Sequence, residues 1–311
     1  MKTDLIDDVI KTAAFKESQA LSKTDGKRGR REIIEKYNPA GWAGGPKSSQ
    51  CLLIITEGDS AKTFGLWGIK QYDQQFGNGF DKFGVFPIRG KMLNVLNATH
   101  NQIINNNEIT NIKKILGLEQ GKIYNNETAK KLNYGGILIL TDQDLDGYHI
   151  SGLIINFIHT FWRELLQVDG FIKTLQTPIL KAFKKGSKQK PIIFYHQSDY
   201  NKWIKEVNNP EQYEIKYYKG LGTSTKDEAM ECFEDFENKV LTYKWETQTL
   251  EKSKLFDVDS PSKRKIKNQI DIKDLTISDN AIDLAFNGDK VQDRKDWLHT
   301  YDENRIYESR D

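Results

Sequence analysis

The sequence predicts an α/β fold, a parallel sheet flanked by helices and followed by an α+β extension. Three observations lead there. The apolar runs Cys51–Thr56 and Ile137–Leu140 do not alternate with polar residues, so they read as fully buried strands. Each run stops at an acidic turn. The second turn is followed by Leu153, Ile154, Phe157, Ile158, Phe161, Trp162, Leu165 and Leu166, which recur with helical spacing.

Taken in order, residues 1–48 read as a helix end and a basic, Gly-rich connector, a lead-in rather than a domain. Residues 49–175 make the first domain. Its first strand runs into Glu57-Gly-Asp-Ser-Ala-Lys62, where Asp59 or Ser60 can cap the next helix. A Gly/Gln/Asn loop is expected over 71–84, and Val85–Val95 carries the triplet Arg89-Gly90-Lys91. Gly90 has no side chain, so the backbone there can approach a ligand closely, and Arg89 and Lys91 can present donors to phosphate. An exposed turn with two cations would look the same in isolation. Residues 98–133 look helical, with Ile103, Ile104, Ile109, Ile112, Ile115 and Leu116 as the buried stripe.

The most informative stretch is Asp142-Gln-Asp-Leu-Asp-Gly147. Three carboxylates this close repel one another unless a cation or solvent relieves them. Hard oxygen donors suit Mg²⁺, and a solvated acidic turn is the competing reading. A calcium loop of the EF-hand type fails, because its twelfth position, which needs Glu, is Leu153. If the two buried strands are parallel neighbours, their carboxyl ends share one edge and Glu57 lies beside Asp142 and Asp144.

The extension, 176–243, follows. Phe171–Phe183 and Ile192–Tyr195 read as two strands joined by a lysine-rich turn, with a helix near Ser198–Val207 in which Trp203 is buried. Tyr213–Tyr218 alternates as a strand and delivers Lys219-Gly-Leu-Gly222. Thr223, Ser224 or Thr225 can cap a helix running to about Asn238. Residues 244–311 read as a charged linker and then a helix at Asp293–Leu298.

Composition narrows the class. A chain of 311 residues that is 37% hydrophobic and 29% charged buries a sizeable core. No apolar run reaches the ~20 residues that cross a membrane, and Asp4, Asp7 and Asp8 fall where a secretory signal is apolar. The two cysteines, Cys51 and Cys232, make no disulfide framework and fit a reducing interior. Net charge is only +2, but Lys27–Arg31, Lys181–Lys190 and Lys263–Lys267 are local basic runs. Such runs are solvated loops or, if they line one face, a salt-dependent DNA surface.

Glu57–Lys62, Pro87-Ile-Arg-Gly-Lys91, Asp142–Gly147 and Tyr218-Lys-Gly-Leu-Gly-Thr223 occur in the order of the Toprim signatures of type II DNA topoisomerases, and the chain resembles that family. The likeness is greatest to the single-chain eukaryotic and large-virus enzymes. Ile88, Leu145 and Tyr148 depart from the usual residues without disturbing the acids. The resemblance implies a Toprim (Rossmann-like) domain serving DNA cleavage and religation in an ATP-hydrolysing isomerase that passes one duplex through another. It implies Mg²⁺, two ions, with Mn²⁺ or Ca²⁺ able to substitute in binding. Asp142 and Asp144 are then the principal ligands, Asp146 a secondary one, and Glu57 a ligand that also relays a proton. Arg89, Lys91 and His149 join Glu57 as the catalytic set, while Lys62, Arg89, Lys91, Asn94 and Lys219 contact DNA.

The implied partners are double-stranded DNA, a second copy in a homodimeric holoenzyme, and the remaining topoisomerase domains in cis or as separate subunits. Those domains are the ATPase and a winged helix bearing the nucleophilic tyrosine; Tyr301 and Tyr307 match no family motif. The sequence therefore reads as a fragment, a split-gene subunit or an excised domain, incapable of strand passage alone. The expected location is intracellular: the nucleus for a cellular eukaryotic enzyme, the host-cell interior for a viral one. Two other readings stay in view, a Toprim-family nuclease and a non-catalytic DNA-binding or assembly module.

Overall fold

The structure, a computed structural model, describes residues 12, 15–29, 33–218, 220–248 and 276–300. The expectations for Arg30, Arg31, Lys219, Lys263–Lys267, Tyr301, Tyr307 and most of the 244–276 linker lie outside the described residues.

Four parallel strands build the main sheet: β1 (Leu52–Glu57), β2 (Phe83–Ile88), β3 (Gly136–Leu140) and β4 (Ile172–Leu175). A short antiparallel strand, β8 (Val240–Thr242), closes the edge, giving the order β2-β1-β3-β4-β8. Because successive side chains point to opposite faces, β1 feeds two cores. Leu53 and Ile55 join Ile137, Ile139, Phe86 and Ile88 on one face; Ile54 joins Leu138, Leu140, Phe83 and Val85 on the other. All of these are buried, which is why the runs are apolar throughout.

Helices cover both faces. α2 (Gly58–Phe76) and α8 (Lys226–Glu234) pack on the second core through Ala61, Phe64, Ile69, Ala229 and Phe233. α4 (His100–Ile104), α5 (Asn107–Leu116) and α6 (Leu145–Trp162) pack on the first. Of the stripe expected over 98–133, Ile103, Ile109, Ile112, Ile115 and Leu116 are buried. Beyond Leu116 the chain is irregular apart from one 3-10 turn at Ala129–Lys131, because Gly117 ends α5 in the left-handed conformation, φ 78°.

Several boundaries differ from expectation. The loop over 71–84 is mostly helical: α2 continues to Phe76, α3 spans Gly79–Lys82, and Phe83 already belongs to β2. Neither Asp59 nor Ser60 caps α2. The preceding residue is Glu57, which makes no side-chain cap, and Asp59 sits in the first turn. α6 begins at Leu145, well before its apolar stripe, since the Asp144 side chain accepts from Gly147 N–H at 2.8 Å. The strand expected over Phe171–Phe183 is two strands in two sheets. β4 ends at Leu175, Pro178 supplies no ladder N–H, and β5 (Leu180–Lys184) starts a separate antiparallel sheet.

That second sheet, β6-β5-β7, pairs β5 with β6 (Ile192–Phe194) and β7 (Tyr213–Tyr217). α7 (Gln197–Glu206) packs Trp203, only half-buried, against Phe194 and Tyr213. Thr225 caps α8 in a capping box with Glu228, and α8 stops at Glu234 ahead of the short α9 (Phe236–Lys239).

Two outer segments are tied to this body. The lead-in helix α1, described over 15–22, is held by the buried ammonium of Lys113, which donates to Leu21 O at 2.8 Å and pairs with Asp25 at 2.6 Å. At the other end, α10 (Ile277–Phe286) and α11 (Val291–His299) follow the linker, and α10 lies along α6 in the opposite sense. Its start is fixed by buried Asp279, which His159 contacts at 2.9 Å and Arg163 engages through two nitrogens. Its end is fixed by Phe286, whose ring faces Gly152 and stacks with His149.

Candidate functional site

The strand order places the site. From β1 the chain crosses to β2 on one side, and β3 then lies on the other side of β1. In open α/β sheets the crevice at the carboxyl ends of such strands is where ligands bind. The registers Glu57↔Ile88 and Thr56↔Leu140 bring the three strand ends level. Glu57 ends β1, Arg89-Gly90-Lys91 follow β2, and the Asp142–Asp146 turn follows β3. Gly90, at φ 69° with open space around it, leaves the backbone of the basic turn accessible.

The fourth motif arrives from the extension. Leu221 N–H donates to Asp142 Oδ1 at 2.8 Å, and Gly222 packs against Ser60. Gly220 comes so close to the Asp142 carboxylate that a β-carbon there would overlap its Oδ2 and lie 3.2 Å from its Oδ1. Only glycine lets the turn approach this far. Gly220→Ala is therefore expected to push the turn and Asp142 apart at a cost of about 1–3 kcal/mol, read as a shifted urea midpoint with an unchanged m-value. An unaltered midpoint would show that the turn is not seated on Asp142.

The turn is braced from behind. Glu228 receives Lys216, the Thr225 N–H and the Tyr218 hydroxyl, the last at 2.8 Å. Burial pushes the Glu228 carboxyl up, but these donors outweigh it and hold its pKa down to about 2.

Charge converges at this edge. Glu57 is held above the usual carboxylate range by burial first, then by Asp142, Asp144 and Asp146, with Lys91 alone opposing. Lys91 Nζ sits 2.7 Å from Asp146 Oδ1, and that hydrogen bond holds the Asp146 carboxyl below its ordinary value.

The expected metal ligands therefore meet as strand ends, but their oxygens are not assembled. Among the described residues, no group of three or more Asp, Glu, His or Cys side chains is gathered closely enough to hold an ion. Each aspartate engages its Oδ1 inside the protein: Asp142 with Leu221, Asp144 with Gly147, Asp146 with Lys91. The donor set still fits a divalent cation by its chemistry. It offers hard oxygens, an excess of negative charge, and a second oxygen on every aspartate.

Of the cations expected on DNA, Lys62, Arg89 and Lys91 stand on the same edge, each with an internal partner. Arg89 pairs with Glu35 at 3.0 Å, and Lys62 donates to the Lys36 carbonyl at 2.6 Å. Lys36 itself, at φ 65°, reaches Asp59. Sequence reading missed Glu35 and Lys36, which stand in no motif. They arrive because Asn38 forms a β-bridge with Val85 and carries the lead-in past the sheet edge.

Two further expected site residues have partners within the protein. Asn94 is half-buried and its amide is hydrogen-bonded on both sides. Nδ2 donates to Phe286 O at 2.8 Å, and Oδ1 accepts from Leu96 N–H and from Asn156 Nδ2. His149 lies exposed in the first turn of α6, near enough to Asp146 to help lower its pKa, with its ring against Phe286.

Comparison with known proteins agrees with this arrangement. A family profile for the Toprim domain matches residues 53–176, and one for the C-terminal associated domain of TOPRIM matches 175–269. DNA topoisomerase 2 of Acanthamoeba polyphaga mimivirus is 46% identical over an alignment covering 97% of this chain and 25% of that protein. DNA topoisomerase 2 of Arabidopsis thaliana is 41% identical, covering 96% of this chain and 18% of that protein. The crystal structure of the Plasmodium falciparum topoisomerase II DNA-binding, cleavage and re-ligation domain superposes with a TM-score of 0.71 at 38% identity, covering 88% of this chain and 32% of that one. The chain thus spans a quarter or less of the length of these two curated relatives.

Proposed function

We propose, since the chain belongs to the Toprim region of the type II DNA topoisomerases, that it provides the metal-binding half of a DNA cleavage and religation centre. The observation that carries this reading is the meeting of Glu57, the Arg89–Lys91 turn and the Asp142–Asp146 turn at one strand-end crevice, with Gly220–Leu221 seated on Asp142.

The bound group would be Mg²⁺, as two ions held by Asp142, Asp144, Glu57 and, through water, Asp146; Mn²⁺ or Ca²⁺ could take their place in binding. When bound, such ions stabilise charge on the attacking and leaving oxygens of an in-line phosphoryl displacement. The protein's own residues do the rest. Arg89 and Lys91 hold the phosphate, for which Lys91 exchanges Asp146 and Arg89 exchanges Glu35. Asp142 would help hold the ion while keeping its hydrogen bond from the Leu221 N–H. Glu57 would deliver a proton to the leaving 3′ oxygen and take it back on resealing. Lys62 and Lys219 would add duplex contacts, and His149 would contact a phosphate or the water around an ion.

The nucleophilic tyrosine and the ATPase would lie in other domains of a homodimeric assembly, in cis or as separate subunits. Its location would be intracellular, in the nucleus or a host cell. Among the described residues no helix is long and apolar enough to cross a membrane.

Calorimetric titration with Mg²⁺ and duplex binding at several salt concentrations test the reading. Saturable Mg²⁺ binding and a duplex affinity that falls steeply with salt are expected. Absence of both in the folded chain would overturn it, while duplex binding without metal would favour the non-catalytic module.

A further inference from the structure

The segment that follows the basic turn is joined to the end of α10 through Asn94 and Asn97. Asn94 lies three residues after Lys91, and its amide makes three hydrogen bonds of different kinds. Oδ1 accepts from Leu96 N–H at 3.2 Å, which shapes the turn itself. The same oxygen accepts from Asn156 Nδ2 at 2.9 Å, which joins the turn to the middle of α6. Nδ2 donates to Phe286 O at 2.8 Å, which joins it to the carboxyl end of α10. Asn156 is fully buried, and Met92 and Val95, on either side of Asn94 in the chain, belong to the first core. Asn97 reinforces the α10 arm alone: it donates to Phe286 O at 3.0 Å and accepts from Gly288 N–H at 3.0 Å.

α10 is in turn indexed along the acid-loop helix at two points. Asp279 grips His159 and Arg163 toward the end of α6. Phe286 meets Gly152 and His149 near its start, with a β-carbon on Gly152 lying 2.7 Å from the Phe286 ring. A helix pinned at both ends moves as a body rather than sliding. Any displacement of α10 is therefore felt at the Phe286 carbonyl, and through it at Asn94.

We propose that Asn94 is a positioning residue, locking the Arg89–Lys91 turn at once to α6 and to the carboxyl end of α10, so that the seating of α10 sets where the two cations stand relative to the acids. This rests on the function proposed above only for what the cations bind; the lock itself is a property of the fold. It also assigns α10 a part in the site, as the element through which the following polypeptide, beginning with α11, acts on the basic turn.

The test compares the full chain with Asn94→Ala and Asn97→Ala by amide hydrogen exchange, without metal or DNA, and then by duplex affinity across a salt series. With Asn94→Ala, exchange over 89–93 is expected to speed up about tenfold, as loss of two or three hydrogen bonds permits local opening. Exchange within β1 and β3 should stay as in the parent. Asn97→Ala, which cuts only the α10 arm, should accelerate 286–290 and shift 89–93 less. The salt slope of duplex binding should fall by about one or two phosphates' worth for Asn94→Ala, because Arg89 and Lys91 no longer stand in place. Asn94→Asp, keeping the acceptor but losing the donor to Phe286, should resemble Asn97→Ala at 89–93.

Unchanged exchange at 89–93 in Asn94→Ala overturns the proposal, as does a uniform acceleration across the sheet. Weakened duplex binding with an unmoved turn would instead make Asn94 a direct DNA contact, and would equally end it. A parent chain that fails to bind duplex would count against the proposed function while leaving the exchange result to decide the lock.

Discussion

Replacing Asp279 by Ala is expected to cost the fold about 3–5 kcal/mol, the range for removing one partner of a buried ion pair. The side chain is 1% exposed and is shared by Arg163 and His159. It also closes the capping box of α10, accepting from the Thr276 N–H at 2.8 Å. Burial pushes this carboxyl up, but Arg163, His159 and Thr276 outweigh burial and hold it well below the usual range. The sign of the pH effect follows. A depressed folded-state pKa adds stability that is fully present above the unfolded value of about 3.9 and is lost as pH falls toward the folded value. Below about pH 4 the gap between parent and variant should thus narrow, by up to about 1.4 kcal/mol per pH unit. Urea denaturation at pH 7, 4 and 3 measures this. A gap below about 1 kcal/mol at pH 7 would mean that Asp279 does not anchor α10.

Asp142→Asn is expected to weaken Mg²⁺ or Mn²⁺ binding about 100-fold, or roughly 2.8 kcal/mol at 1.4 kcal/mol per decade. The variant is chosen because Asn keeps the oxygen that accepts from Leu221 N–H. The fold should hold its urea midpoint, since losing one charge also relieves Glu57 of a repulsive neighbour. Asp142→Ala tests the other role. It strands the Leu221 N–H, at a cost of about 1–3 kcal/mol, and should lower the midpoint as well as the metal affinity. Titration calorimetry with both variants separates ligand from scaffold. Equal metal affinity in parent and Asp142→Asn would remove Asp142 from the ligand set.

The two readings of the chain, along the sequence and in space, agree where local chemistry decides. Ile137–Leu140 and Cys51–Thr56 read as buried strands because nothing polar interrupts them, and both faces of each are indeed covered. Boundaries were read less well. The start of α6 at Leu145 was hidden because its first turn is exposed, so the apolar period begins only later. The break between β4 and β5 was hidden because a continuous strand-like pattern spans two sheets.

The site divides the same way. The identities of Glu57, Arg89, Lys91 and the three aspartates were legible because charged side chains at the ends of apolar runs are locally conspicuous. Their sharing of one edge followed from parallel pairing. Glu35, Lys36, Asn94 and Phe286 act through partners 23 to 192 positions away, separations no local pattern encodes.

What the sequence by itself determined is the inventory: an α/β chain with two acidic strand ends, a basic turn and a glycine turn, in the order of one family. What only the tertiary structure decided is who holds whom. It set Asp142 against the Leu221 N–H, Lys91 against Asp146, and Asn94 against the end of α10. The physical reason is that strand and helix patterns arise from neighbours within a few residues, whereas hydrogen bonds and ion pairs depend on directions and distances fixed only once the sheet and its helices are packed.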